Sequence, residues 1–251
     1  MMFLAGCTLN YGEILSNYII LFSPYKKMTK KSNAPTQSDF EYVFSKDWFS
    51  NNIPRWEKHL KKLMKLGKEQ PLMALEIGSF EGRSAVWTLE NILVHPNSKL
   101  TCIDNFNGIP TRKRHTTKQR FAQNTAKFGD KVLLVEDDSR NALKSSDILH
   151  KMFDFIYIDA SRHSKNVLED AILSLPLLKI GGYIVFDDYT SSKEHDYSCP
   201  KKGIDTFLDI FHDELKVENT SWQVIARKKA VTKKLKPCHS ELYARVKLDK
   251  N

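Results

Sequence analysis

Three aspartates stand at the ends of two short apolar runs. Asp159 closes "FDFIYID" (153–159), and Asp187 and Asp188 close "YIVFDD" (183–188). If both runs are strands of one parallel sheet, their carboxyl ends lie about 5 Å apart. Three carboxylates converging there repel one another unless a cation or a proton intervenes. A set of oxygen ligands at an open site suits Mg²⁺, with Ca²⁺ or Mn²⁺ as alternatives, so Asp159, Asp187 and Asp188 are candidate metal ligands. The same residues also allow a structural reading, in which Asp187 and Asp188 cap the following segment and Asp159 bonds to nearby backbone.

A second group lies in "LMALEIGSFEGRSAVWTL" (72–89), where an apolar run passes through Gly78 and Gly82 into an amphipathic segment. In open parallel sheets, ligands bind outside the carboxyl ends of the strands, near the point where strand order reverses. A strand ending at Ile77 makes residues 78–82 such a loop. Glycine there lets the backbone approach a ligand without an intervening Cβ. Ser84 falls in the first turn of the next helix, where its hydroxyl and the free backbone N–H groups can hold a carboxylate. Asp104 closes "KLTCID" (99–104) and is placed to accept hydrogen bonds from ribose hydroxyls. These residues point to a nucleoside-type ligand. The dinucleotide fingerprint G-x-G-x-x-G is not met: the spacing is G-x-x-x-G, preceded by Glu76. With no substrate domain following, an NAD-dependent dehydrogenase is disfavoured.

The rest of the chain supplies a frame for these groups. Phe49, Ile53, Trp56, Leu60 and Leu63 recur at helical spacing, with Pro54 in a first turn and Gly67 as a C-terminal cap. Apolar runs at 72–77, 99–104, 131–136, 153–159 and 183–188 read as strands. They alternate with helical segments at 82–93, around 117–129, at 139–150 and from about 164 to 178. Strands that are apolar throughout and separated by helices form a parallel sheet covered on both faces. Residues 203–215 are helical, and "KVENTSWQVIARKK" (216–229) reads as two strands joined by a short turn. The expected fold is α/β: a Rossmann-like, doubly wound sheet of about seven strands, mostly parallel, with a C-terminal antiparallel hairpin.

Glu76, the glycine spacing, Ser84 and Asp104 together resemble motif I and its surroundings in class I S-adenosylmethionine-dependent methyltransferases. "ALEIGSFEGRS" resembles the matching segment of catechol O-methyltransferase and its relatives. "RFAQNTAKFGDKVLLVEDDSRNAL", "FDFIYIDASRHSKNVLEDAILSLPLLKIGGYIVFDDY" and "KKGIDTFLDIF" are similar to methyltransferase family 24, which includes sugar O-methyltransferases. The likeness covers about residues 45–229 and implies S-adenosyl-L-methionine as cofactor. It puts Gly78, Ser79 and Phe80 along the methionine side, Ser84 on the carboxylate and Asp104 on the ribose. Asp138 and Ser139 would meet the adenine. It also implies that an ion at Asp159, Asp187 and Asp188 orients two neighbouring substrate oxygens and favours the ionised hydroxyl.

One departure concerns the base. Relatives carry D-A-D-K, D-G-D or D-G-S-H after the metal aspartate, whereas this chain has "DASRHS". Arg162 takes the place of the lysine or histidine, and a guanidinium does not shed its proton. His163 is adjacent, and an imidazole is a side chain able to accept a proton, so Asp159 and His163 are the catalytic candidates. Arg162 suits an anionic substrate group instead. His195, flanked by Tyr189 and Tyr197, falls in a loop expected to overhang the site and is given no role.

The whole-chain properties are permissive. The 251 residues carry a net charge of +9, with basic clusters at 26–31, 58–68, 112–115 and 227–236 that read first as solvated surface. The four cysteines form no C-x-x-C pair, which argues against zinc or a disulfide framework and for a reducing, cytoplasmic setting. The apolar run around Ile19 to Phe22 is too short to span a bilayer, so no transmembrane segment is expected. Residues 1–44 read as an N-terminal extension, partly disordered and with 1–27 optional; 45–229 as the methyltransferase domain; and 230–251 as a basic tail. The helix over 54–66 either covers the core or meets a second subunit in a homodimer. The leading function is O-methylation of a small hydroxylated acceptor with Mg²⁺ assistance. A nucleic-acid methyltransferase drawing on the basic clusters comes second, and a non-catalytic methyltransferase-fold binding module third.

Overall fold

A computed structural model of the chain describes residues 41–190 and 199–230. The N-terminal expectations up to residue 40, His195 and Tyr197, and the tail from residue 231 lie outside the described residues. Seven strands form one sheet: β1 (Met73–Ile77), β2 (Lys99–Ile103), β3 (Val132–Val135), β4 (Phe153–Ile158), β5 (Leu178–Phe186), β6 (Leu215–Thr220) and β7 (Val224–Lys228). Their order is β3-β2-β1-β4-β5-β7-β6. The first five run parallel, and β7 pairs antiparallel with both β5 and β6. The expected doubly wound sheet with a terminal hairpin is therefore observed. Strand order reverses between β1 and β4, where a ligand crevice belongs.

Alternation along each strand sorts the core into two layers. Leu75 and Ile77, Ile156 and Ile158, and Ile184 and Phe186 face one layer. There they meet helices α7 (Ser164–Ser174) and α8 (Pro200–Ile210) through Val167, Ala171, Ile204 and Phe207. Ala74, Phe155, Tyr157, Tyr183 and Val185 face the other. They are covered by α1 (Ile53–His59), α2 (Lys61–Glu69) and α3 (Arg83–Asn91). Of the two expectations for the helix at 54–66, covering the core is the one observed: Trp56, Leu60 and Leu63 are all buried.

Several local expectations needed correction. The single helix at 54–66 is broken at Leu60, which separates α1 from α2. Gly67 lies inside α2 and is not a cap, since a Cβ there would come within 1.8 Å of the Ile92 carbonyl oxygen. Its role is to let α2 pack closely on the chain leaving α3. The helix expected around 117–129 starts earlier, and the basic run 112–115 lies in its first turns: α4 spans Thr111–Thr125. Cations at a helix N-terminus oppose the dipole, which is why the start was placed too late from sequence. The helix at 139–150 is two short pieces, α5 (Ser139–Ala142) and α6 (Ser146–Leu149). β5 begins at Leu178, well before Tyr183.

Candidate active site

One hydrogen bond beyond each strand aligns the site. Asp104 N donates to Val135 O, Gly78 N to Ile103 O, Asp159 N to Ile77 O and Asp187 N to Ile158 O, at 2.8–3.2 Å. Each bond is the next rung of a parallel ladder, so the first residues past β2, β1, β4 and β5 stand side by side. A cavity of about 680 Å³ opens across these ends, within the usual size of small-molecule sites.

The loop after β1 is held from beneath. Asp104 Oδ2 accepts from Ser79 N (2.9 Å) and Phe80 N (2.8 Å), and Oδ1 accepts from Phe106 N (2.7 Å). The carboxylate read as a ribose ligand therefore shapes two cavity-lining loops as well. Gly78 has φ 89°, and a Cβ there would lie 2.5 Å from Ala160 Cα and Asp159 O. Its close approach is to the neighbouring strand end, a reason from within the protein and not from a ligand. Phe80 is held at φ 48°, a strained conformation for an aromatic residue, and its ring packs on Trp48 at 4.9 Å.

Ser84 differs from expectation in its partner. Its hydroxyl donates to Glu76 Oε1 at 2.5 Å, so what α3 can offer a carboxylate is its first-turn backbone N–H groups. Glu76 is fully buried on the α3 side of β1, and burial, reinforced by Asp104, pushes its carboxyl up to about 8. The folded state thus takes up a proton that the unfolded chain releases near 4.5. That contribution is complete at acid pH and is lost as pH rises toward 8. Glu76→Gln is expected to flatten this decline and to exceed the parent in stability at pH 8 by about 2–5 kcal/mol, read from urea unfolding at pH 5 and 8. Parallel pH profiles for the two proteins would refute it.

At the β3 end, Asp138 caps α5 and pairs with Arg140 Nε at 2.8 Å, a contact that holds its carboxyl below the usual range. Ser139 Oγ donates to Asp170 at 2.6 Å, and burial raises that aspartate to about 6. Both expected adenine contacts line the cavity, but their side chains already have protein partners.

The acidic constellation is brought together at the ends of β4 and β5. The Tyr157 hydroxyl lies 2.5 Å from Asp187 Oδ2 and 3.1 Å from Asp159 Oδ2. One hydroxyl has one proton, so the two carboxylates compete for it, Asp187 at the shorter distance. Burial first, and then mutual repulsion, raises the proton affinity of Asp159 and Asp187. Asp159 is enclosed by protein mass while its own surface opens on the cavity, so water there softens the effect. Asp187 Oδ1 accepts from Asp188 N at 2.8 Å, and Asn52 Nδ2 approaches Oδ2 at 3.5 Å. Asp188, at φ 56°, pairs with Arg162 Nε at 2.9 Å. Among the described residues, no group of three His, Cys, Asp or Glu side chains is placed to hold a metal ion.

His163 is the exposed residue preceding α7, at the cavity wall. Tyr189 is anchored away from any acceptor role by its hydroxyl bond to Asp205 (2.7 Å). Three contributors were missed from sequence. Tyr157 was findable, two residues before Asp159 on the same face of β4. Trp48, next to the helical series that begins at Phe49, was given no role. Glu81, buried, binds Ser45 and Arg120 and so ties the chain before α1 to the β1 loop.

Residues 75–189 match the model of a family described as a methyltransferase domain. Uncharacterized protein R132 of Acanthamoeba polyphaga mimivirus is 28% identical over 135 residues. That match covers 52% of this chain and 57% of the relative, so the chain spans little more than half the length of that curated protein. Among solved structures, CalS11, the TDP-rhamnose 3'-O-methyltransferase of calicheamicin biosynthesis, aligns with a TM-score of 0.51 at 14% identity. The alignment covers 71% of this chain and 80% of that one. MycE, from the mycinamycin pathway in complex with Mg and SAH, aligns at 0.52 with 13% identity, covering 76% and 53%. The fold, with its ligand crevice at the ends of β1, β2 and β4, is that of the class I S-adenosylmethionine-dependent methyltransferases. Residues 75–189, which run from within β1 to just past the end of β5, are the part of the chain that matches the methyltransferase-domain model.

Proposed function

We propose that the protein transfers a methyl group from S-adenosyl-L-methionine to a hydroxyl of a small acceptor. The observation that carries this reading is the single cavity shared by the β1 loop, Asp104, Asp138 and Asp159. The residues fit the cofactor: Ser79 Oγ, buried in the cavity wall, meets no partner at full hydrogen-bond geometry among the described residues, and the first-turn amides of α3 are adjacent. An acid-rich pocket also suits a cationic ligand. In this reading Gly78, Ser79, Phe80 and the α3 N-terminus hold the methionine end, Asp104 the ribose, and Asp138 and Ser139 the adenine. Glu76 braces the loop through Ser84.

The cofactor, when bound, supplies a methyl group on a sulfonium centre that leaves as a neutral thioether. The chain must position the acceptor oxygen and take its proton. Asp159 is better placed for this than His163. Its Oδ2 is fixed by Tyr157, while its Oδ1 takes no hydrogen bond from the described residues. Burial, with repulsion from Asp187 and Asp188, raises its proton affinity, the direction a general base requires. His163 sits on the exposed rim. Magnesium has the acidic strand ends and the ion of MycE in its favour, while among the described residues no three ligating side chains are grouped for it. Activation of the acceptor is therefore assigned to Asp159.

Calorimetry of the full chain with S-adenosylhomocysteine should give saturable one-site binding. Labelled methyl should then pass from S-adenosylmethionine to a member of a panel of sugars, vicinal diols and phenols. Protein that ignores both cofactor forms at millimolar concentration would end this reading.

A further inference from the structure

Two aspartates flank Ser139 at the β3 end of the cavity, and their states differ. Asp138 is occupied: Oδ1 accepts from Arg140 Nε (2.8 Å) and Arg140 N (3.1 Å), and Oδ2 from Arg140 Nη2 (3.1 Å). Asp170, on α7, is only 1% exposed and yet lines the same cavity. Its Oδ1 accepts from Ser139 Oγ, while its Oδ2 takes no hydrogen bond from the described residues. Among those residues, the side-chain polar atoms sealed from solvent without a partner are Ser79 Oγ, Arg114 Nε, Glu169 Oε2 and Gln223 Nε2. Asp170 Oδ2 is not one of them, so it keeps contact with open space, and the space that Asp170 borders is the cavity. Burial raises its proton affinity only to about 6, so at neutral pH the carboxylate is ionised and can only accept. A buried acceptor with one oxygen committed and the other open calls for an N–H donor from the ligand.

We propose that Asp170, oriented by the Ser139 hydroxyl, accepts a hydrogen bond from the exocyclic amine of the cofactor's adenine and thereby makes the site select adenine among purines. The proposal rests on the methyltransferase reading and deepens it. The likeness to relatives put Asp138 and Ser139 at the adenine; here the amine is read from another element, α7, and Ser139 contributes by fixing that carboxylate. A carbonyl in place of the amine would turn a lone pair toward Asp170 and leave both oxygens unpaired, which is costly in a buried site.

Calorimetry of the full chain compares S-adenosylhomocysteine with S-inosylhomocysteine, its deaminated counterpart, which carries a carbonyl where the amine was. The parent should bind the adenosyl ligand at least about tenfold more tightly. In Asp170→Asn the amide oxygen keeps the Ser139 hydroxyl and the NH₂ group faces the cavity, so that preference should fall at least about tenfold. Ser139→Ala leaves the charge but removes the group that orients it, and should lower the preference about threefold or more. It alters a half-buried side chain and decides the matter should Asp170→Asn fail to fold. The ratio is the readout because a purely structural Asp170 would weaken both ligands alike. Parent affinities within about twofold of each other, or a ratio unchanged in either variant, would overturn the proposal and leave the methyltransferase reading standing. A parent that binds neither ligand would end both.

Discussion

Gly78→Ala is expected to abolish measurable binding of S-adenosylhomocysteine, a loss of at least about a hundredfold, and to cost about 2–4 kcal/mol of stability. Two penalties act together. At φ 89° a residue with a Cβ is strained wherever it stands. The added carbon would also lie 2.5 Å from Ala160 Cα and Asp159 O, so one of two backbones must move. Neither can move alone. Gly78 N is bonded to Ile103 O, Asp159 N to Ile77 O, and the next amides of the loop to Asp104. A shift of the β1 loop thus disturbs the cofactor wall and the end of β4 at once. Calorimetry reads the affinity and urea unfolding the stability. Near-parental affinity in Gly78→Ala would mean that the two strand ends do not jointly form the pocket.

The placement of the site was legible in the sequence because a parallel sheet leaves little freedom. Apolar runs fix the strands, the helices between them fix the direction, and residues just past each run must gather at one edge. Gly78, Asp104, Asp138, Asp159 and Asp188 all line one cavity for that reason. What those side chains do was less legible. Ser84 faces Glu76 because a serine in the first turn of α3 sits above the penultimate residue of β1. Periodicity places the two residues but not the direction of the hydroxyl. Asp104 binds backbone amides because the β1 loop offers two donors within its reach. Whether three carboxylates converge on an ion depends on competing partners. Those partners, Tyr157, Asn52 and Arg162, come from three separate segments. Element ends fared worst where local signals conflict, as at the basic first turn of α4 and the break at Leu60.

The two layers of the core bear unequally on the site, and the layer containing Trp56 matters more. Trp56 is fully buried and packs edge-on against Phe49, Trp87, Phe155 and Tyr157, with centroid distances of 4.9–5.4 Å. Its Nε1 donates to Gln223 Oε1 at 2.7 Å, joining α1 to the chain entering β7. Trp56→Ala is expected to destabilise the protein by about 3–5 kcal/mol through lost burial and the cavity left behind. Loss of the Gln223 bond places the value at the upper end. Trp56→Phe, which keeps much of the apolar volume but not the N–H, should cost less than half as much. Trp48→Ala should cost under about 1 kcal/mol, because that indole is 66% exposed and rests mainly on Phe80. Urea midpoints of the three variants test this order. The reason it bears on function is Tyr157. The ring that Trp56 wedges in place carries the hydroxyl between Asp159 and Asp187, so a cavity at position 56 frees the group that orients the proposed base. Folded Trp56→Ala should therefore still bind S-adenosylhomocysteine, whose proposed contacts lie on the β1 and β2 side, while transferring methyl groups more slowly. Parental stability in Trp56→Ala would show that α1 is not the cover that holds this half of the sheet together.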